Sequence, residues 1–305
     1  MKVENEGSDE KSQEKRSKSL LMQLENEESV EKKQEKSTKI KKRKEIFVYG
    51  NYRKYYGYRL DRSMEEDPRL KVFKSEWFVD KDCLDIGCNQ GLVTISIAQK
   101  FLCRSMVGID IDKGLIEDAK GNLRNAVRRR LNRHTTPKDS ISEDVNEKFL
   151  SKPQLSDVVD LNSIRFSSSP VDQDHLKRVL FHCENFIEDI HVCPEKYDTV
   201  LCLSVTKWIH LNWGDDGVLT LFAKIWRLLK PGGVLLLEPQ PWSSYRRKRQ
   251  VSETARSNFN DIQIHPCLFR EILLDKVGFR SADILTEGLS GTVAGFDRPI
   301  IVFQK

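Results

Sequence analysis

From Lys81 onward the hydrophobic positions fall into two recurring patterns. Short apolar runs, CLDIG (Cys83–Gly87), SMVGIDI (Ser105–Ile111), YDTVLCLSV (Tyr197–Val205) and GVLLLEP (Gly233–Pro239), read as strands buried on both faces, with VLFHCENF (Val179–Phe186) shorter and weaker. Between and after them, helical spacing runs over Leu92–Phe101, Lys113–Arg130, Asp215–Lys230 and Pro266–Val277. Lys230-Pro231-Gly232-Gly233 predicts a helix stop and a turn before the next strand. The chain closes with FRSADIL and RPIIVFQK, joined by a glycine-bearing loop, which predicts a terminal antiparallel hairpin. Strand and helix in alternation predict an α/β fold, a doubly wound and mostly parallel sheet with ligands at the carboxyl ends of its strands.

Two stretches fall outside this rhythm. Residues 1–45 are lysine, glutamate and serine with almost no aromatic side chains, too little apolar surface to offset the entropy of ordering, and read as a disordered charged tail. Residues 131–173 carry three prolines and many serines without a sustained period. With strongly patterned flanks, they read as a low-complexity insert. One folded domain over 46–305, interrupted by that insert, is the expected organisation.

Composition narrows the setting. Hydrophobic residues make up 38% of the 305, and the formal net charge is +5, a mild basic excess that suits an anionic partner without requiring one. KIKKRKE (Lys39–Glu45) has the density of a nuclear-import signal or a nucleic-acid contact, and reads almost equally as a solvated charge run. The seven cysteines contain no C-x-x-C pair and lie mostly in apolar runs, which points to buried thiols in a reducing compartment, cytosol or nucleus. No apolar stretch approaches about 18 residues, so no membrane span is expected, and no constellation has metal-ligand spacing.

The candidate chemistry begins at CLDIGCNQG, a strand, a glycine turn and a helix start. A dinucleotide fingerprint would bring a second glycine against a pyrophosphate. Here Gly87 is followed by Cys88, Asn89 and Gln90 before Gly91, and Asp85 adds negative charge. A nucleoside without phosphate fits better, and S-adenosylmethionine is the common one; a purely structural turn is the alternative. Asp110 is placed to accept hydrogen bonds from both ribose hydroxyls, and Asp112 to cap the following helix. Asn185 and Phe186 in CENFIED stand where an adenine could be bonded and covered, and read almost equally as an ordinary strand end; Leu203–Lys207 should line the floor near the sulfonium.

Two flanking segments carry candidate substrate contacts. FVYGNYRKYYGYRL (Phe47–Leu60) interleaves five tyrosines with Arg53, Lys54 and Arg59, a mixture that can stack on bases and hold phosphates as single-stranded RNA requires. It also reads as a packed cover. EPQPWSSYRRKRQ (Glu238–Gln250) sets prolines at a strand's carboxyl end, followed by Trp242, Ser243 and a basic cluster, Arg246–Arg249, suited to a phosphate chain, with a solvent-exposed basic helix start as the alternative. LSVTKW lacks the Asp/Asn-Pro-Pro-aromatic string of an adenine-N6 methyltransferase, and neither Cys202 nor Cys267 is placed as a cytosine-C5 nucleophile. His210 and His265 read as structural histidines.

Taken together, YGNYRKYYGYR, LDIGCNQG, VGIDID, LCLSVTKWIHLNWGD and LEPQPWSSY resemble the bicoid-interacting-protein family, the RNA methylphosphate capping enzymes. The resemblance covers about Phe47–Lys305, apart from the insert. It implies a class I, Rossmann-like methyltransferase that moves a methyl group from S-adenosylmethionine to the 5'-terminal phosphate of a small noncoding RNA. The γ-phosphate is the expected acceptor, although members differ in taking a triphosphate or a monophosphate end. A nuclear location, ribonucleoprotein partners and chemistry without metal or membrane belong to the same expectation.

The family's cofactor contacts fall on Tyr49, Arg59, Gly87, Cys88, Asn89, Asp110, Ile111, Asn185, Phe186 and Leu203. Glu184 departs from the glycine often found there. For the phosphate end the candidates are Lys207, Arg53 and Tyr52, with Trp208, Trp242 and Ser243 shaping the pocket. Transfer to an oxygen that is already anionic needs alignment, not a general base. The alternatives are a class I methyltransferase acting on a protein or small metabolite, and an inactive protein that only binds RNA ends.

Overall fold

The computed structural model describes residues 47–53, 67–134, 175–189, 193–285 and 298–305. The 1–45 tail, Arg59, nearly all of the 131–173 insert and the loop of the terminal hairpin lie outside the described residues.

The apolar runs form β1 (Asp82–Ile86), β2 (Ser105–Asp110), β3 (Val179–Cys183), β4 (Tyr197–Leu203), β5 (Leu229–Glu238), β6 (Ser281–Ile284) and β7 (Ile301–Gln304). They join in one sheet in the order β3-β2-β1-β4-β5-β7-β6. β1 pairs parallel with both β2 and β4, and only β7 runs against its neighbours. Successive strand residues point to opposite faces, which sorts Cys83, Leu201 and Leu236 into one core layer and Leu84, Val200 and Leu235 into the other. The first layer is closed by α1 (Leu92–Phe101) and α2 (Lys113–His134). The second is closed by α3 (Thr206–Leu228) and by a composite helix over 266–277 whose middle is α6 (Phe269–Ile272). Before it come α4 (Trp242–Lys248) and α5 (Glu253–Asp261).

Three boundaries differ from the periodicity. α2 runs on to His134, into the stretch read as insert. α3 begins at Thr206, upstream of the expected Asp215, because Ile209 and Leu211 are buried on its inner side; it breaks at Gly214 (φ 63°, ψ −162°), where the polar NWGDD run hides the period. β5 begins at Leu229 and takes in the Lys-Pro-Gly-Gly turn as an irregularity. Tyr197 pairs with Leu229 but Thr199 already pairs with Val234, so three extra residues of β5 are looped out over the turn.

The chain leaves β1 toward β2 and β3 on one side, and enters β4 and β5 on the other. This reversal between β1 and β4 opens a crevice at their carboxyl ends, where ligands of such sheets bind.

Candidate active site

Three left-handed residues shape the turn after β1. Gly87, Asn89 and Gly91 have φ of 72°, 53° and 70°. Here glycine serves packing: a Cβ on Gly87 would lie 2.4 Å from Val205 Cγ2, and one on Gly91 2.5 Å from Phe181 Cζ. The N–H groups of Gly87 and Cys88 donate to Ile109 O at 2.8 and 2.9 Å, tying the turn to β2. Asp110 accepts from Asn89 N–H through Oδ2 and from Asp112 N–H through Oδ1, both at 2.9 Å. Each carboxylate oxygen keeps a lone pair for a further donor. Asp112 caps α2 as expected, accepting from Gly114 and Leu115 N–H at 2.7 and 3.0 Å.

Across the crevice, β4 ends in Ser204 at φ 64°. Buried Gln240 holds this turn: Nε2 donates to Ser204 O, and Oε1 accepts from Thr206 Oγ1 and Lys207 N–H, both at 3.0 Å. After β3, Lys224 Nζ donates to Phe186 O and Ile187 O at 2.9 and 2.8 Å and to Asp189 O. Those bonds fix the turn that presents Asn185, whose Oδ1 accepts from Ile187 N–H at 3.2 Å.

Residues 47–53 form a strap over the top. Tyr49 stacks on Trp213 with centroids 5.7 Å apart. Gly50 lies flat on Trp208, where a Cβ would fall 2.1 Å from Cε2. Asn51 Nδ2 donates to Asp112 Oδ2 at 2.5 Å, and Asn89 Nδ2 donates to Tyr52 O at 3.2 Å.

These elements enclose a cavity with an apolar floor of Ile86, Ile109 and Leu203 and a wall bearing Asp110, Glu184 and three asparagines; among the described residues it has no lysine or arginine. Burial raises the carboxyls of Asp110 and Glu184 above their ordinary range. Asn51 Oδ1 and Asn89 Oδ1 are buried in this wall without a partner. Buried acceptors of this kind require a ligand that brings N–H or O–H groups, and a wall of carboxyls favours a positive one. An ammonium, a sulfonium and ribose hydroxyls meet both requirements, so the residues fit S-adenosylmethionine.

Beside the cavity lies a second cluster. Lys207 Nζ donates to Ser244 Oγ at 2.8 Å and sits 4.3 Å over the Trp208 ring. The Tyr52 ring meets Trp208 at 5.9 Å, and Lys248 Nζ lies 5.2 Å over Tyr52.

Residues 197–305 match the family model described as Bicoid-interacting protein 3 (Bin3). A probable RNA methyltransferase of Arabidopsis thaliana is 51% identical over 267 residues, 87% of this chain and 83% of that protein. The Drosophila melanogaster U6 snRNA methylphosphate capping enzyme Amus is 37% identical over 85% of this chain and 75% of its own length. The chain belongs to the Bin3 family. It is accordingly an S-adenosylmethionine-dependent RNA methyltransferase. The mouse 7SK snRNA methylphosphate capping enzyme is 39% identical over 88% of this chain, and the chain spans 42% of that longer relative.

In this Bin3-family site the structure gathers Tyr49, Gly87, Asn89, Asp110, Ile111, Asn185, Phe186, Leu203 and Trp208 around one cavity. Other candidates lie elsewhere. The Cys88 side chain turns into the core, 1% exposed, with its thiol pushed up by burial, so only its backbone serves the turn. Arg53 reaches the head of α2 rather than Lys207: a Cβ on Gly114 would lie 2.8 Å from its Nη2, and its charge helps to lower the Asp112 carboxyl. Trp242 stacks on Phe259 at 4.8 Å and packs on His265 and Tyr245, away from the cavity. Ser243 is exposed on α4, and its neighbour Ser244 is the one that meets Lys207. His210 is structural, as read: Nε2 faces Asp215 Oδ1 at 2.7 Å across the Gly214 break, and burial lowers its pKa.

Asn51, Gln240, Glu238 and Lys224 escaped the sequence reading. Gln240 and Glu238 lie inside the quoted EPQPW string, but nothing local distinguishes a proline-flanked Gln that clamps a turn from one facing solvent.

Proposed function

We propose that this Bin3-family chain methylates the 5'-terminal phosphate of a small noncoding RNA, with the γ-phosphate of a triphosphate end as acceptor. The observation that carries this reading is adjacency: a cavity suited to a cationic nucleoside abuts the cationic and aromatic cluster of Lys207, Trp208, Tyr52 and Lys248. The names of the mouse and Drosophila relatives, both methylphosphate capping enzymes of small nuclear RNAs, support it.

S-adenosylmethionine supplies an electrophilic methyl group. The protein's part is to bind and align. Asp110 and the Asn89 turn hold the sugar end, and Asn185 with Phe186 the base. Tyr52, backed by the buried Trp208 ring, offers its ring to a terminal nucleotide, while Lys207 and Lys248 balance phosphate charge. A terminal phosphate is largely ionised near neutral pH, its second pKa being about 6, so no side chain has to remove a proton. Alignment of this kind can be worth about 7–11 kcal/mol. A nuclear setting and ribonucleoprotein partners belong to the same proposal, supported by the basic run Lys39–Glu45.

The test is incubation of labelled cofactor with otherwise identical RNAs ending in 5'-triphosphate, 5'-monophosphate and 5'-hydroxyl, followed by mass spectrometry of the ends. Label on the terminal phosphate of the triphosphate RNA is the expected result. Equal labelling of all three RNAs refutes transfer to the end.

A further inference from the structure

The site described above leaves one strongly charged face unused. Along the outer side of α2, Lys113, Glu117, Lys120, Arg124 and Arg128 follow one another at helical spacing, and Arg129 stands next to the row, about 100° further round the helix from Arg128. Lys120 is paired with Glu117 at 3.1 Å. Arg124, Arg128 and Arg129 are exposed, and among the described residues they take part in no ion pair or hydrogen bond.

The head of this row lies at the mouth of the cavity. Gly114 is covered by the Arg53 guanidinium, and Asp112 holds Asn51 of the strap. From there the row runs down the helix. At 1.5 Å per residue, Arg128 lies about 20 Å from Gly114, and Arg124 and Arg128 stand about 6 Å apart. Across Lys113–Arg129 no large apolar side chain of α2 is exposed; Leu131, further along on the same side and at its edge, is the one such side chain exposed among the described residues of this helix. A protein-binding face would be expected to centre on such anchors. A row of unpaired guanidinium groups instead matches a chain of phosphates, read without regard to sequence.

We propose that the outer face of α2 binds the phosphate backbone of the acceptor RNA downstream of its 5' end, through Arg124, Arg128 and Arg129. This rests on the RNA-end methyltransferase reading for the identity of the RNA. The contact itself is one of charge and spacing. The face orients the RNA body, and its residues touch neither cofactor nor reacting atoms.

The test measures binding of a hairpin RNA with a 5'-triphosphate single-stranded leader by fluorescence anisotropy across a salt series. The full chain is compared with a variant carrying Arg124→Gln, Arg128→Gln and Arg129→Gln, and with one carrying Lys at the same three positions. With the Gln variant, affinity should fall at least about tenfold and the slope of log K against log salt should drop by about 2 to 3. The Lys variant should keep both near wild type. Unchanged affinity and slope with Gln overturn the proposal and leave the face to an acidic protein. Equal losses with Gln and Lys overturn it as well, because charge is then not the cause. Since the readout is binding, a wild-type chain that binds this RNA without methylating it would count against the proposed function and not against this surface.

Discussion

Arg69 Nη1 donates to Glu238 Oε2 at 2.8 Å, with the two side chains only 2% and 1% exposed. Asp67 takes the other edge of the guanidinium at 2.7 and 3.0 Å, and the second oxygen of Glu238 accepts from Ser204 Oγ at 2.8 Å. The pair therefore ties the chain entering the domain to the turn that forms the cavity's floor. Removing Arg69 takes the guanidinium from buried Asp67 and leaves Glu238 to lean on Arg298, whose Nη1 is 3.5 Å from Oε1; breaking a buried pair in this way costs about 3–5 kcal/mol. Arg69→Met should lower the stability of the full chain by that amount in urea unfolding. A loss under about 1 kcal/mol would mean that Glu238 finds its compensation elsewhere.

Asp85 gives the fold a pH signature. Burial raises its carboxyl from 3.8 to about 6, while Thr94 Oγ1, at 2.6 Å, and Arg69 pull the other way. The folded-state value lies above the unfolded one, so Asp85 favours folding most below about pH 4. That contribution fades as pH rises through 6. At about 1.4 kcal/mol per pKa unit the difference is about 3 kcal/mol. Asp85→Asn, which can still accept from Thr94, should gain about that much on wild type between pH 4 and 7. Parallel pH–stability curves for the two proteins would contradict the assignment.

Gly50 is the narrow point of the strap. Its φ of 72° and the Trp208 ring where a Cβ would fall leave no room for alanine. Because the strap covers the cavity without entering either main core layer, Gly50→Ala should weaken cofactor binding about tenfold or more, with the melting temperature nearly unchanged. Strain of about 1–2 kcal/mol at a left-handed position is enough for this. Calorimetric titration with S-adenosylhomocysteine measures it.

Asp110→Ala removes the acceptor of two backbone N–H groups along with the proposed ribose contact. Bonds to a charged acceptor contribute about 1.5–3 kcal/mol each, so cofactor affinity should fall about 100-fold. RNA affinity, assigned in the proposals above to Lys207, Tyr52 and the outer face of α2, should stay within about twofold. Wild-type methylation by this variant would withdraw the ribose assignment.

Much of this site was legible in one dimension. The alternation of strand and helix, the terminal hairpin, the glycine turn, Asp110 as a strand-end acid and Asp112 as a cap follow from period and residue type, because each is a pattern or contact made within a few residues or between neighbouring strands. The family strings located the cavity wall as well. What pattern could not supply were partners: Arg69 and Glu238 are 169 residues apart, Asn51 and Asp112 are 61 apart, and Lys207 and Ser244 are 37 apart. Periodicity tells which face of an element is buried and is silent about what it meets. That is why Trp242, Arg53 and Ser243 fell beside the phosphate end on paper, and beside Phe259, Gly114 and solvent once the chain was packed.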